Sequence, residues 1–187
     1  MKIVLLSLKE VEGSCILMHM KRSRLLKQGR KAIKHITRPL RRFCSIGAFA
    51  IILDEQRRVL LCHRCDADLW NLPGGRLEWG ETPRLAVIRE VNEETGFEVV
   101  VRSLVGIYVN PARRNIAFSF VCQITGGTMT TSDESDALAY FSFEEIPRST
   151  SPYHRARIQD VLETPAYFHL KVQHGPSAKK LLRQGKL

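Results

Sequence analysis

The chain reads as short apolar runs cut by polar turns, with helical periodicity in a few places only. Residues 45–53 (SIGAFAIIL) form an apolar run that predicts a strand; DEQRR then turns the chain, and residues 59–63 return as its hairpin partner. A short extended piece at 70–72 is stopped by Pro73-Gly74-Gly75. Thr82 is a good N-cap, Pro83 suits the first helical position and Gly96 is a good stop, so a helix is predicted over 82–95. Strands follow at 99–105, 106–109 and 116–125, the last closed by Gly126-Gly127. A short strand at 139–143 and a second helix at Pro152–Glu163 complete the pattern. The order is mixed α and β, with the first helix placed between strands.

That first helix has two distinct faces. Advancing about 100° per residue from Leu85, Glu93, Ala86, Glu90 and Glu94 fall between roughly 80° and 180°. Val87, Val91, Thr95 and Ile88 fall between roughly 200° and 300°, on a face suited to a core. Like charges at i,i+4 oppose one another on a bare helix. They are useful where carboxylates share a hard cation, since Mg²⁺ takes oxygen ligands and bridges to phosphate. Ala86 would leave room above the cluster for metal and substrate. Arg89 is spaced to pair with Glu93 one turn on, or with Glu81 before the helix.

Charge sharpens the picture. The net charge of +10 is carried by the ends: residues 1–42 hold twelve Lys/Arg against two Glu, and 171–187 hold five basic residues and no acid. The chain divides into a basic, partly helical or disordered extension (1–42), a domain (43–165) and a basic tail (166–187). In the extension, Leu25, Leu26, Gly29, Ala32, Ile33, Ile36 and Leu40 lie near one helical stripe that Pro39 should end. A basic amphipathic helix suits RNA or an anionic membrane surface, so contact with either through residues 1–42 is an expectation, beside a plain solvated extension. Further readings are a mitochondrial-type presequence, or a true start at Met18 or Met20. No apolar run approaches the roughly 20 residues that cross a bilayer. Five cysteines without framework spacing point to free thiols and a reducing, cytoplasmic compartment. The run Cys62-His63-Arg64-Cys65 lacks the second pair a structural zinc site needs.

The acid has a longer pattern around it. Gly75, five residues, Glu81, seven residues, then Arg89-Glu90-Val91-Asn92-Glu93-Glu94-Thr95-Gly96-Phe97 fills every fixed position of the Nudix box, and Trp70-Asn71-Leu72-Pro73-Gly74-Gly75 is similar to its usual lead-in. The chain resembles the Nudix hydrolases over about residues 43–165. The resemblance implies an α/β/α sandwich around a mixed sheet, with a strand-loop-helix catalytic segment. It also implies attack of water on a phosphoanhydride, dependent on Mg²⁺ or Mn²⁺, with Glu90, Glu93, Glu94 and the Gly75 carbonyl as metal ligands. Glu81 would be a supporting acid and Arg89 would orient a carboxylate. The general base would be a box glutamate or a later acid, for which Glu134, Asp133 and Asp136 are the candidates. Many members are homodimers, which makes a homodimer an expectation here.

The box does not name the substrate, beyond a small nucleotide. Pro111 lies fifteen residues beyond Gly96, a spacing similar to the mark of ADP-ribose pyrophosphatases. The resemblance therefore leans to ADP-ribose or nucleotide sugars, with nucleoside triphosphates, oxidised ones included, as the runner-up. RNA 5′-end trimming and nucleotide sensing are further alternatives, the last opposed by the full set of box acids. Arg64, Trp70, Pro111 and Arg113 are substrate-side candidates, with Arg114, Phe49 and Tyr108 behind them.

Overall fold

In the computed structural model, residues 44–187 are described, and Cys44–Leu187 forms one compact unit. The basic extension, its apolar stripe and Cys15 lie outside the described residues. Eight strands form two sheets: β1 (Ser45–Ile52), β2 (Val59–Arg64), β3 (Trp70–Asn71), β4 (Gly74–Arg76), β5 (Phe97–Asn110), β6 (Asn115–Gly127), β7 (Ser135–Phe141) and β8 (His169–Val172). The larger sheet has the order β4-β1-β6-β5-β8 and the smaller one β3-β2-β7. The larger is mixed: β1 runs parallel to β6 and β5 parallel to β8, while β4 and β6 run antiparallel to β1 and β5.

The period-two alternation of β1 places a helix on each face. Ala48, Ala50 and Ile52 join Phe120, Cys122, Val99 and Val101 under α1 (Pro83–Thr95), which contributes Ala86, Val87 and Val91. Ile51 faces the other way, with Val105, Leu61 and Leu72, under Ile158 and Val161 of α2 (Pro152–Glu163). Each of the Val, Leu, Ile and Phe side chains among them, once buried, stabilises the fold by about 1.5–3 kcal/mol before cavity terms. The result is the expected α/β/α sandwich around a mixed sheet. α1 begins as its sequence predicts: the Thr82 hydroxyl accepts from Leu85 N at 3.3 Å, and Gly96 ends the helix with a left-handed backbone at φ 72°.

Four sequence expectations differ from the structure. β1 and β2 are not a hairpin pair; they lie in different sheets, and their β pairing is limited to the isolated Leu53–Val59 bridge. Tight turns suggest hairpins, but pairing is decided by partners far along the chain. β5 is one strand through Gly106, which was expected as a break. A Cβ there would meet the His169 carbonyl oxygen at 2.6 Å, so the glycine permits close approach of β8. Ala86 does not floor the acid cluster; it is fully buried in the core under α1. Residues 166–187, set apart by charge, contain β8 and a short helix α3 (Ala178–Arg183). Lys171 of β8 bonds Asp160 of α2 at 2.5 Å, and α3 supplies Lys179 to Asp66 at 2.5 Å.

Candidate active site

The acidic residues meet where α1 crosses the β4 end of the larger sheet. Arg89 is their hub. Its Nε donates to Glu81 Oε1 at 2.9 Å and Nη2 to Glu81 Oε2 at 3.0 Å. Nη1 donates to Glu90 Oε1 at 3.1 Å and to Glu93 Oε2 at 2.9 Å, and Nη2 also reaches the Arg76 carbonyl at 3.2 Å. The two pairings the spacing allowed for Arg89 thus form together. Three carboxylates around one guanidinium hold it protonated, Glu81 contributing most, and the same contact keeps Glu81 below the ordinary carboxylate range.

Glu94 stands apart from that hub. Its Oε2 accepts from Gly74 N at 2.8 Å. Burial pushes its carboxyl up to about 7, against the pull of the Gly74 hydrogen bond, and Glu90 and Glu134 push the same way. Glu90 is raised as well, chiefly by burial, with Arg89 opposing. Gly75 has a steric reason to be glycine: a Cβ there would meet Glu90 Oε1 at 2.5 Å. The cradle therefore consists of backbone and carboxylate oxygens, with acids that resist ionising together.

Such a donor set has the chemistry of a hard divalent cation rather than a thiol- or imidazole-seeking one. Among the described residues, no three His, Cys, Asp or Glu side chains converge as they stand on a metal-sized point. The reason is visible in the bonding: Arg89 holds Glu90 and Glu93, and Gly74 holds Glu94.

Of the later acids, Glu134 is drawn to the site. Ser135 Oγ donates to the Glu94 carbonyl at 2.9 Å, and Glu134 acts electrostatically on both Glu90 and Glu94. Asp136 turns instead to His63 at 2.6 Å. Asp133 is at the mouth of the same loop, with no side-chain bond among those resolved.

The substrate-side candidates scatter. Arg64 ends β2 near Glu94 and Glu134, with its Nε on Asp66 at 2.7 Å. Trp70 packs against His63 and Phe141, with ring centroids 5.1 and 5.0 Å away. Pro111 and Arg113 form an exposed 3-10 turn between β5 and β6, where Asn110 Oδ1 caps Arg113 N at 3.0 Å. Arg114 follows in a left-handed conformation at φ 49°. Phe49 lies beside His154, centroids 4.8 Å apart, and Tyr108 is buried with its hydroxyl on Asp160 at 3.0 Å. Cys62 is buried and Cys65 exposed, so they do not form a ligand pair.

The residues that sequence reasoning overlooked are the supports. Gly74 N, the Arg76 carbonyl and Ser135 hold the acids, and His63 meets Asp136 and Asp68. Gly74 and Arg76 flank Gly75 in the box lead-in, and that adjacency was the available signal. The His63 contact spans 73 residues and had none.

The NUDIX domain profile matches residues 45–162. A MutT-like protein of Streptomyces ambofaciens is 38% identical over 119 residues, covering 64% of this chain and 77% of its own. A putative 8-oxo-dGTP diphosphatase of Bacillus subtilis is 36% identical over 115 residues, covering 61% and 77%. A solved Nudix hydrolase from Nitrosomonas europaea superposes with a TM-score of 0.58 at 27% identity, covering 64% of this chain and 89% of that one. Among the described residues no helix is long and apolar enough to cross a membrane.

Proposed function

The chain belongs to the Nudix hydrolase family, and from that premise we propose that it is a Mg²⁺-dependent pyrophosphohydrolase of nucleoside triphosphates, oxidised ones included. One observation carries the reading: Glu81, Glu90, Glu93 and Glu94 are gathered at one corner, three of them bonded to Arg89 and Glu94 to Gly74 N. Glu90, Glu93, Glu94 and the Gly75 carbonyl would hold the cation, for which Mn²⁺ would substitute. When bound, the cation neutralises the phosphates, acidifies a coordinated water and stabilises the leaving oxygen.

The chain's own residues do the rest. Arg89, braced by Glu81, orients Glu90 and Glu93. Gly74 N–H fixes the carboxylate of Glu94. Glu134 accepts the proton of the attacking water as the new P–O bond forms and the anhydride bond breaks. A box glutamate is the competing base. The triphosphate reading is supported by the Bacillus relative, a putative 8-oxo-dGTP diphosphatase. Pro111, which favours ADP-ribose or a nucleotide sugar as the second reading, also has a purely local role at the start of its 3-10 turn.

The test is phosphate or pyrophosphate release from nucleoside triphosphates, 8-oxo-dGTP, ADP-ribose, sugar nucleotides and 5′-triphosphorylated RNA with Mg²⁺, beside Glu94→Gln. Triphosphates well ahead, with the variant inactive, is the expected result. ADP-ribose ahead would transfer the assignment to the second reading, and release that survives Glu94→Gln would sink both.

A further inference from the structure

β2 and β7 pair in a regular antiparallel register from Val59–Phe141 to His63–Ala137, and then the register jumps so that Arg64 faces Ser135. Asp136 is left as the extra residue of a bulge. Bulges re-aim side chains and gather beside active sites. Without this one, Asp136 would take the place opposite Arg64. Glu134 would then shift by one position, to the other face of the ladder. With it, Glu134 directly precedes Ser135, whose Oγ donates to the Glu94 carbonyl at 2.9 Å; its charge adds to the rise of Glu90 and Glu94, and its carbonyl accepts from Cys65 N at 3.1 Å.

The bulged residue is also tied down. Asp136 Oδ1 lies 2.6 Å from His63 Nδ1, and Asp68 Oδ1 lies 3.1 Å from Nε2 of the same ring. The ring rests against Trp70 of β3. A neutral imidazole carries one N–H, so only the imidazolium donates to both carboxylates. His63 thereby joins β2, the loop that follows it, and the β7 bulge. The Asp136 contact raises the imidazole above its ordinary value, partial burial opposes it, and Asp68 adds to the rise.

We propose that His63 is a positioning residue for the hydrolysis: the Asp68–His63–Asp136 clasp fixes the β7 bulge and so holds Glu134 against Glu90 and Glu94. The inference rests on Glu134 being the proton acceptor of the proposed reaction, and it adds the device that puts that carboxylate in place.

A double-substitution cycle with four proteins tests it: wild type, His63→Gln, Glu134→Gln and the double variant, with Glu94→Gln alongside. His63→Gln should lower kcat by up to about a hundredfold with KM little changed, the size that a misplacement of about 1 Å can cost. The double variant should turn over no more slowly than Glu134→Gln alone, because His63 acts through that side chain. Defects that multiply would overturn the proposal, as would wild-type turnover in Glu134→Gln while Glu94→Gln is dead. Turnover that survives Glu94→Gln would instead remove the pyrophosphohydrolase reading. If His63→Gln does not fold, Asp68→Asn, at the exposed end of the clasp, takes its place. The ratio of wild-type to His63→Gln kcat should fall toward one as pH rises through the imidazole's titration; a flat ratio contradicts the clasp. Independently of turnover, a ¹⁵N-detected titration should show both ring N–H protons of His63 persisting to higher pH than in an ordinary imidazole, and loss of the second proton at or below the ordinary value would overturn it.

Discussion

On the two faces of the central sheet lie two charge clusters that are unbalanced in opposite senses. Beside α1, Glu81, Glu90 and Glu93 share Arg89, and Glu94 has only a backbone N–H. Under α2, Arg157 has no carboxylate partner among the described residues: its guanidinium lies 5.0 Å from the Phe49 ring centre and 5.1 Å from that of Tyr108. Its Nη2 donates to Gln173 Oε1 at 2.8 Å, while Nε and Nη1 have no hydrogen-bond partner among the described residues. Burial lowers Arg157 to about 10, and His154 beside it is driven well below its ordinary value, so its Nδ1 accepts from Leu72 N at 3.0 Å.

Access separates the two. Glu93 is 58% exposed in its side chain, whereas Arg157 is 3% exposed as a residue. A charge deficit open to solvent is a place where an ion completes the set. The same deficit sealed in a core is a cost borne by packing and cation–π contact. Charge imbalance by itself would nominate either cluster as the working site, and only the open one supports that role.

The largest effect that sharpens this contrast is on turnover. Glu94→Gln or Glu93→Gln should lower kcat by several orders of magnitude, since metal-assisted charge stabilisation is worth several kcal/mol at about 1.4 kcal/mol per tenfold. Circular dichroism should show both variants folded. Near-wild-type rates would erase the difference between the clusters.

Arg157→Met makes the converse test. Because a buried charge without a countercharge is itself costly, its apolar replacement should leave stability within about 2 kcal/mol of wild type in urea unfolding, with kcat little altered. A loss of more than about 4 kcal/mol would mean that the guanidinium has a buried partner.

Acidity gives a third handle. Glu94 is raised from 4.5 to about 7, so between those values the folded state binds more protons than the unfolded one. Metal-free stability should therefore decline over that window as pH rises, and level off above it. Mg²⁺ should raise the melting temperature more at pH 7.5 than at pH 5. Equal shifts at both would mean that Glu94 does not face the cation.

The smallest effect concerns His63. A raised imidazole stabilises below its unfolded value, and that contribution is lost as pH rises through the folded one. The melting-temperature gap between wild type and His63→Gln should narrow with increasing pH. A gap that widens would reverse the sign of the clasp.

What was legible in the sequence was local. The helix Pro83–Thr95, its Thr82 cap, its Gly96 stop and the Glu–Arg spacing all depend on residues within one or two turns, where 3.6-residue geometry holds regardless of the rest of the fold. The pairing of Arg89 with Glu93 follows from that spacing. Strand pairing did not follow, because the period of two shows which faces are apolar but not which strand lies alongside. Thus β1 and β2 separated into two sheets and β8 joined the larger one. Charge composition marked 166–187 off from the domain, although its backbone hydrogen-bonds to β5. Only the tertiary structure brought Ser135 to Glu94, His63 to Asp136 and Arg157 between Phe49 and Tyr108. Each of those contacts joins residues tens of positions apart, and bulge register and burial settle them rather than local propensity.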